Sequence, residues 1–388
     1  MAQGGTGRLA AIDVVRGFCI VSMVTGHLAP QSTVSYALHQ VPAFDGASGF
    51  VLLSGLVLGI VQSRRLTTHG LAAVERKSAR RIGVIYVAQV SLGLLALAVA
   101  AVATTEHRNV HPAGTSTAEA VWRVLTLQAA PPAGSVLRLY VVLLALAMLA
   151  YVLLARGRWV AVLAGSAALY GVGYLVPQVT SFRSYSGELG ANWATWQLLL
   201  VVALVVGWHW APARIGERLL ARPLLVTAVT GALVAAAWAG ERVAPALYDK
   251  TMFGPARVLN AFAVVTLLFV VVSRLLEVLP RAAFRPIEVI GTRSLDSYVI
   301  QAGVAVVVPS FVVGWTDVAL GVALATLALC WGWAELRRWR PWARDAVPVA
   351  PRPVDVAPEV VAVGADAVVP LEPVSRPHEE VRPADGRG

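Results

Sequence analysis

Apolar and polar positions along this 388-residue chain fall in long blocks rather than in short amphipathic periods. Ten apolar stretches lie at about 10–29, 47–62, 82–103, 137–154, 159–176, 194–211, 223–239, 257–274, 295–313 and 316–334, separated by charges, Pro and Gly. About 20 apolar residues in helix cross a hydrocarbon core of about 30 Å. The pattern predicts an all-α polytopic membrane protein, a bundle of about ten transmembrane helices. Several stretches are shorter than that, which points to spans packed against one another rather than standing alone in lipid. No clear internal repeat is present.

Composition agrees. The chain is 57% hydrophobic and 14% charged, with a mean hydropathy of +0.68. A soluble domain carries about 25% charged residues, so an ordinary globular chain and a disordered one are both excluded. Cys19 and Cys330 both sit in apolar stretches, so a disulfide framework is not expected.

The net charge of +10 changes the picture once it is divided by location. One set of inter-span segments holds 20 Lys and Arg, including Arg64, Arg65, Arg76, Lys77, Arg80 and Arg81. The alternating set holds 7, among them Arg108, Arg123, Arg138, Lys250 and Arg257. Basic loops stay cytoplasmic, so ten spans with both termini inside the cell membrane satisfy the bias. Nucleic-acid binding is not implied, because the positives lie on a membrane face. Asp13 and Arg16 interrupt the first apolar stretch, which therefore reads as a span rather than a cleaved signal peptide. Residues 1–9 form a short cytoplasmic segment and 10–336 the membrane domain. Residues 337–388, rich in Pro and acidic side chains, read as a disordered cytoplasmic tail.

Candidate chemistry is concentrated in the first span, "AAIDVVRGFCIVSMVTGHL", where Asp13, Arg16 and His27 are set in an apolar helix. Ionisable groups inside a membrane are costly and mark functional sites by default. At about 100° per residue, Arg16 lies about 300° from Asp13, and His27 lies three turns plus about 20° from Arg16. All three share one face. Asp13 and Arg16 can pair at i, i+3. His27 sits about 16 Å further along the axis, and its ordinary pKa near 6.5 suits a general base. A structural ion pair and a helix-end histidine are the blander alternative.

Asp45 opens the second span, either as the carboxylate that orients His27 or as a helix N-terminal residue. Gly46, Gly49, Ser54, Gly55 and Gly59 make one side of that span small enough for close packing. Arg80 and Arg81 either signal topology or bind an anionic cytosolic donor. Outer segments add Gln128, in a possible re-entrant lid, and Trp196 with Asn192 and Gln197. They also add a polar junction of Asp249, Lys250, Thr251, Arg257 and Asn260. No histidine has zinc-ligand spacing, and phosphate-loop, nucleophile-elbow and dinucleotide motifs are missing, so no metal site is expected.

The segments "AIDVVRGFCIVSMVTGHL", "FDGASGFVLLSGLVLGI", "LQAAPPAGSVLRLYVVLL", "DKTMFGPARVLNAFAV" and "GTRSLDSYVIQ" resemble, in order and over about residues 8–305, the OpgC family. Named members are membrane succinyltransferases of osmoregulated periplasmic glucans, within the wider acyltransferase-3-like group. The resemblance implies an O-acyltransferase that takes an acyl group (succinyl or acetyl class) from a cytosolic acyl donor, with acyl-CoA as co-substrate and no tightly bound cofactor. The acceptor implied is a hydroxyl of an envelope carbohydrate or glycolipid at the outer face. It further implies donor contact from Arg16; on the residues themselves, Asp13 would fix the orientation of Arg16, and Arg80 and Arg81 remain donor-binding candidates. His27 would serve as base, and Asp45, Gln128, Asp249, Lys250 and Thr251 match family positions and become site candidates; the residues themselves add Trp196, as a sugar-stacking ring or an interface belt residue, and Asn260, as part of the polar junction, to the acceptor-site candidates. The chain departs from the family pattern at Ser48, Ser135, Asn260 and Gln301. Expected partners are the bilayer, the donor and the acceptor, with homo-oligomerisation left open. The competing readings are a transporter or flippase for an anionic or glycolipid substrate, and an envelope scaffold without catalysis.

Overall fold

The computed structural model describes residues 4–107, 115–183 and 189–339. In chain order the helices are α1 Gly4–Leu28, α2 Thr33–Leu38, α3 Gly46–Val102, α4 Thr117–Leu125, α5 Ser135–Ala155, α6 Trp159–Leu175, α7 Pro177–Thr180, α8 Trp193–Trp208, α9 Ile215–Ala221, α10 Pro223–Val243, α11 Pro255–Val278, α12 Arg281–Thr292, α13 Ser294–Val307, α14 Ser310–Gly314 and α15 Thr316–Trp339. Short 3-10 turns occupy Pro132–Gly134 and Pro245–Tyr248.

Among the described residues, six helices are long and apolar enough to cross a membrane, and α6, α8 and α13 are shorter apolar helices. One of the six is α3, whose 57 residues include the predicted spans 47–62 and 82–103. They are divided at Gly70, where φ is +75°, a left-handed conformation that glycine adopts at little cost. The expected inner loop between these two spans is therefore helical up to the break and beyond it.

Local detail adds to the expected pattern. The outer segment that holds Asn192 contains two short antiparallel strands, β1 Ser181–Arg183 and β2 Leu189–Asn192. The predicted last span is extended by α15 through Trp339, so the first three positions assigned to the tail are helical. The basic segment before residue 294 contains α12, an amphipathic helix that buries Phe284, Val289, Ile290 and Gly291. The rest of the acidic tail, Arg108, His111 and residues 184–188 lie outside the described residues.

Helix α1 is an inner helix, with Ala11, Val14, Val15, Ile20 and Val24 fully buried. It packs against α3, α11, α12, α13 and α15. Its approach to α12 is close because Gly17 lies on the Ile287 carbonyl and Gly291 on the Asp13 carbonyl, leaving no room for a Cβ at either. The small side of α3 works as expected: Gly55 and Gly59 seat the Leu200 and Leu204 carbonyls of α8, and Gly207 of α8 seats that of Leu56. Ser166 and Gln197 bond to one another across α6 and α8 at 2.8 Å.

Candidate functional site

Two polar centres lie on α1, one near each end of its apolar part. At the first, Arg16 pairs with Asp13 at 3.7 Å, as the i, i+3 spacing predicts. Its Nη2 donates to the Ser294 hydroxyl on α13, while its Nε is buried without a hydrogen-bond partner. Arg81, reaching in from α3, lies within the electrostatic field of Arg16 and of Tyr140, and its Nε is likewise buried and unpartnered. Arg80 is exposed. Adjacent helix positions point about 100° apart, so the structure separates the two arginines that the sequence presents as a pair.

At the other end, the last turn of α1 opens on a cleft of about 580 Å³ lined by His27, Asp45, Trp196, Lys250 and Thr251, among others. Nδ1 of His27 lies 3.0 Å from Oε1 of Gln301 on α13, so Gln301 takes the position in which Asp45 was expected.

Asp45 has other commitments. Its Oδ1 accepts from the Ser48 amide at 2.8 Å and the Ser48 hydroxyl at 2.6 Å, capping α3. Its Oδ2 meets Arg257 Nη2 at 3.1 Å and Lys250 Nζ at 2.9 Å. Burial alone would raise this carboxyl. Lys250, Arg257 and the Ser48 hydrogen bonds outweigh it and hold the group well below the usual carboxylate range. Asp45 is thus a charged clamp that joins α3 to the 248–257 segment. Ser48, one of the departures from the family pattern, supplies two of its contacts.

The remaining candidates divide. Trp196 is buried in the cleft wall with its ring 4.3 Å from Phe253, and its Nε1 has no partner. Phe253, fully buried at φ +50°, is held in a region costly for a bulky residue. Lys250 and Thr251 reach the cleft, whereas Asp249 is exposed and caps its own turn through the Met252 amide at 2.6 Å. Asn260 lies outside the cleft lining, and its amide donates to the Pro42 carbonyl at 2.6 Å, anchoring the loop before Asp45. Gln128 is exposed and also outside the lining; its carbonyl accepts from Arg138 at 3.0 Å.

Two cleft residues escape a reading of the sequence. His39 caps α2, donates from Nδ1 to the Ser35 carbonyl at 2.7 Å, and places Nε2 3.4 Å from the Ser22 hydroxyl. Gly26 makes room for this ring, since a Cβ there would come within 3.2 Å of it. The only sequence signal was the Ser–x–x–x–His spacing from Ser35 to His39 in a short segment between two spans. Among the described residues, no cluster of three His, Cys, Asp or Glu could hold a metal ion.

A family model described as OpgC protein matches residues 8–342. No curated protein and no solved structure matches the chain.

Proposed function

The chain belongs to the OpgC family, and from that premise we propose that it is a ten-span membrane O-acyltransferase with both termini in the cytoplasm. It moves an acyl group from a cytosolic acyl-CoA to a hydroxyl of an envelope carbohydrate or glycolipid at the outer face. The observation that carries this reading is the placement of His27 on the wall of an open cleft, with Arg16 about 16 Å away along the same helix.

In this reading the donor enters from the Arg16 end. Arg16 and Arg81, whose buried Nε atoms have no partner, hold its anionic part. Asp13 fixes the Arg16 side chain. At the cleft, Nε2 of His27 takes the proton of the acceptor hydroxyl as that oxygen attacks the thioester carbonyl. The new C–O bond forms, the C–S bond breaks, and the departing thiolate recovers a proton from the imidazolium. Trp196, Lys250 and Thr251 contact the acceptor. The Asp45 clamp keeps Lys250 at the cleft edge and takes no proton itself.

Purified protein in proteoliposomes, given labelled succinyl- or acetyl-CoA and a β-glucan oligosaccharide, should release CoA only when the acceptor is present. Movement of intact glycan across the membrane without CoA release would favour the transporter reading instead.

A further inference from the structure

Ser22 and His39 line the same cleft as His27. Nδ1 of His39 lies 2.7 Å from the Ser35 carbonyl. A carbonyl oxygen only accepts, so the ring hydrogen is on Nδ1 and the basic lone pair on Nε2. Nε2 in turn lies 3.4 Å from the Ser22 hydroxyl. A hydroxyl, a base within reach of its proton and a third group that orients the base are the parts of an activated serine. In unliganded sites the hydroxyl and its base often stand looser than the usual limit of about 3.2 Å.

The surroundings favour this arrangement. Gly26, one turn beyond Ser22 on α1, leaves room for the His39 ring. A hydroxyl inside a helix can turn back to the carbonyl four residues earlier, as Thr25 does to Val21 at 3.0 Å. That of Ser22 meets the imidazole instead. The start of α3 is also close, since a Cβ on Gly46 would come within 3.1 Å of the Ser22 Cβ. The positive end of that helix favours negative charge developing at Ser22, and Lys250 and Arg257 offset the Asp45 carboxylate beside it.

Resting on the acyl-transfer reading for the donor, we propose that Ser22 is a nucleophile activated by His39, and that the acyl group passes through the cleft as a Ser22 ester. Nε2 of His39 takes the hydroxyl proton as Oγ of Ser22 attacks the thioester carbonyl. The Oγ–C bond forms, the C–S bond breaks, and the departing thiolate takes the proton from the His39 imidazolium. The acceptor hydroxyl, losing its proton to His27, then attacks the ester carbonyl. The new C–O bond forms, the Oγ–C bond breaks, and Oγ recovers the proton from the His27 imidazolium. Donor and acceptor are the only co-reactants.

The experiment uses the full chain in lipid nanodiscs, mixed with succinyl- or acetyl-CoA, quenched in acid and read by peptide mass spectrometry. Without acceptor, the peptide that holds Ser22 should carry the acyl mass increment, with a single burst of CoA. Release beyond that burst waits on a β-glucan oligosaccharide. His27→Ala should accumulate the ester even with the oligosaccharide present, because its discharge is blocked. Ser22→Ala and His39→Gln should lose the increment and lower kcat about a hundredfold or more. Ser22→Cys should form the adduct as a thioester, which hydroxylamine cleaves at neutral pH. An unmodified Ser22 peptide in both the parent and His27→Ala, while the parent transfers acyl groups, would overturn the proposal and keep the acyltransferase reading. So would an unchanged kcat in Ser22→Ala. A Ser22 ester that is passed to no carbohydrate would keep the nucleophile and remove the carbohydrate acceptor. Neither an ester nor acceptor-dependent CoA release would remove both.

Discussion

Replacing Asp45 by Ala tests the clamp between α3 and the 248–257 segment. The side chains of Asp45 and Arg257 are 11% and 7% exposed, whereas Lys250 is 67% exposed. Removing one partner of a buried pair strands the other charge and costs about 3–5 kcal/mol. Loss of the α3 cap adds about 1 kcal/mol, and the exposed Lys250 arm contributes at most about 1 kcal/mol. Asp45→Ala should therefore cost about 4–7 kcal/mol. At about 2 °C per kcal/mol for a large domain, the melting temperature falls by roughly 10 °C. The assay is thermal unfolding in detergent micelles, with Lys250→Ala and Arg257→Met alone and in combination with Asp45→Ala. Lys250→Ala should move Tm by no more than about 2 °C. Adding Arg257→Met to Asp45→Ala should recover part of the loss, with a coupling of at least about 2 kcal/mol. Additive effects of Asp45→Ala and Arg257→Met, or an Asp45→Ala protein as stable as the parent, would refute the reasoning. The pH dependence follows in sign. The native carboxyl titrates below its unfolded value of about 4, so its stabilisation is complete above that value. It is lost only as pH falls through the lower, native value, and Asp45 adds no slope to Tm between about pH 5 and about pH 8.

Three further outcomes are expected. Gly291→Ala should prevent proper assembly, because a Cβ there runs into the Asp13 carbonyl, while Gly231→Ala, with nothing within 4 Å, should be tolerated; equal membrane yields of the two would contradict the close α1–α12 contact. Trp196→Phe removes an indole N–H that has no partner in the protein, so Tm should hold while the acceptor KM rises several-fold; an unchanged KM takes Trp196 out of the acceptor site. Arg81→Ala should raise the acyl-CoA KM about tenfold or more, as loss of a charge-assisted hydrogen bond implies, and Arg80→Ala should not; equal effects would mean the two act by charge alone.

Much of this is legible in the sequence. The Asp13–Arg16–His27 stripe follows from helical periodicity, which a long apolar helix obeys closely, and the small face of α3 follows from its glycines. Pairings remote in sequence were not legible. Asp45 and Arg257 are 212 positions apart, and His27 and Gln301 are 274 apart. Asp45 next to the end of the first span suggested a carboxylate–imidazole pair; it could not show that two cations and a helix cap already claimed that carboxylate. Gln301 was visible only as a departure from a family pattern. His39 sat in a short connecting segment whose folding depends on Gly26 and Ser22 across the gap, a tertiary fact with no local signal. The strands at 181–192 were missed for a similar reason, because seven residues offer too little alternation to announce a hairpin.

Acyl transfer through His27 is tested most directly by mass spectrometry of envelope glycans from cells that make the parent protein or His27→Ala at equal membrane levels. Glycans carrying an acyl mass increment with the parent and none with His27→Ala are predicted. An unchanged acyl content with His27→Ala would contradict the assignment of His27 as the base.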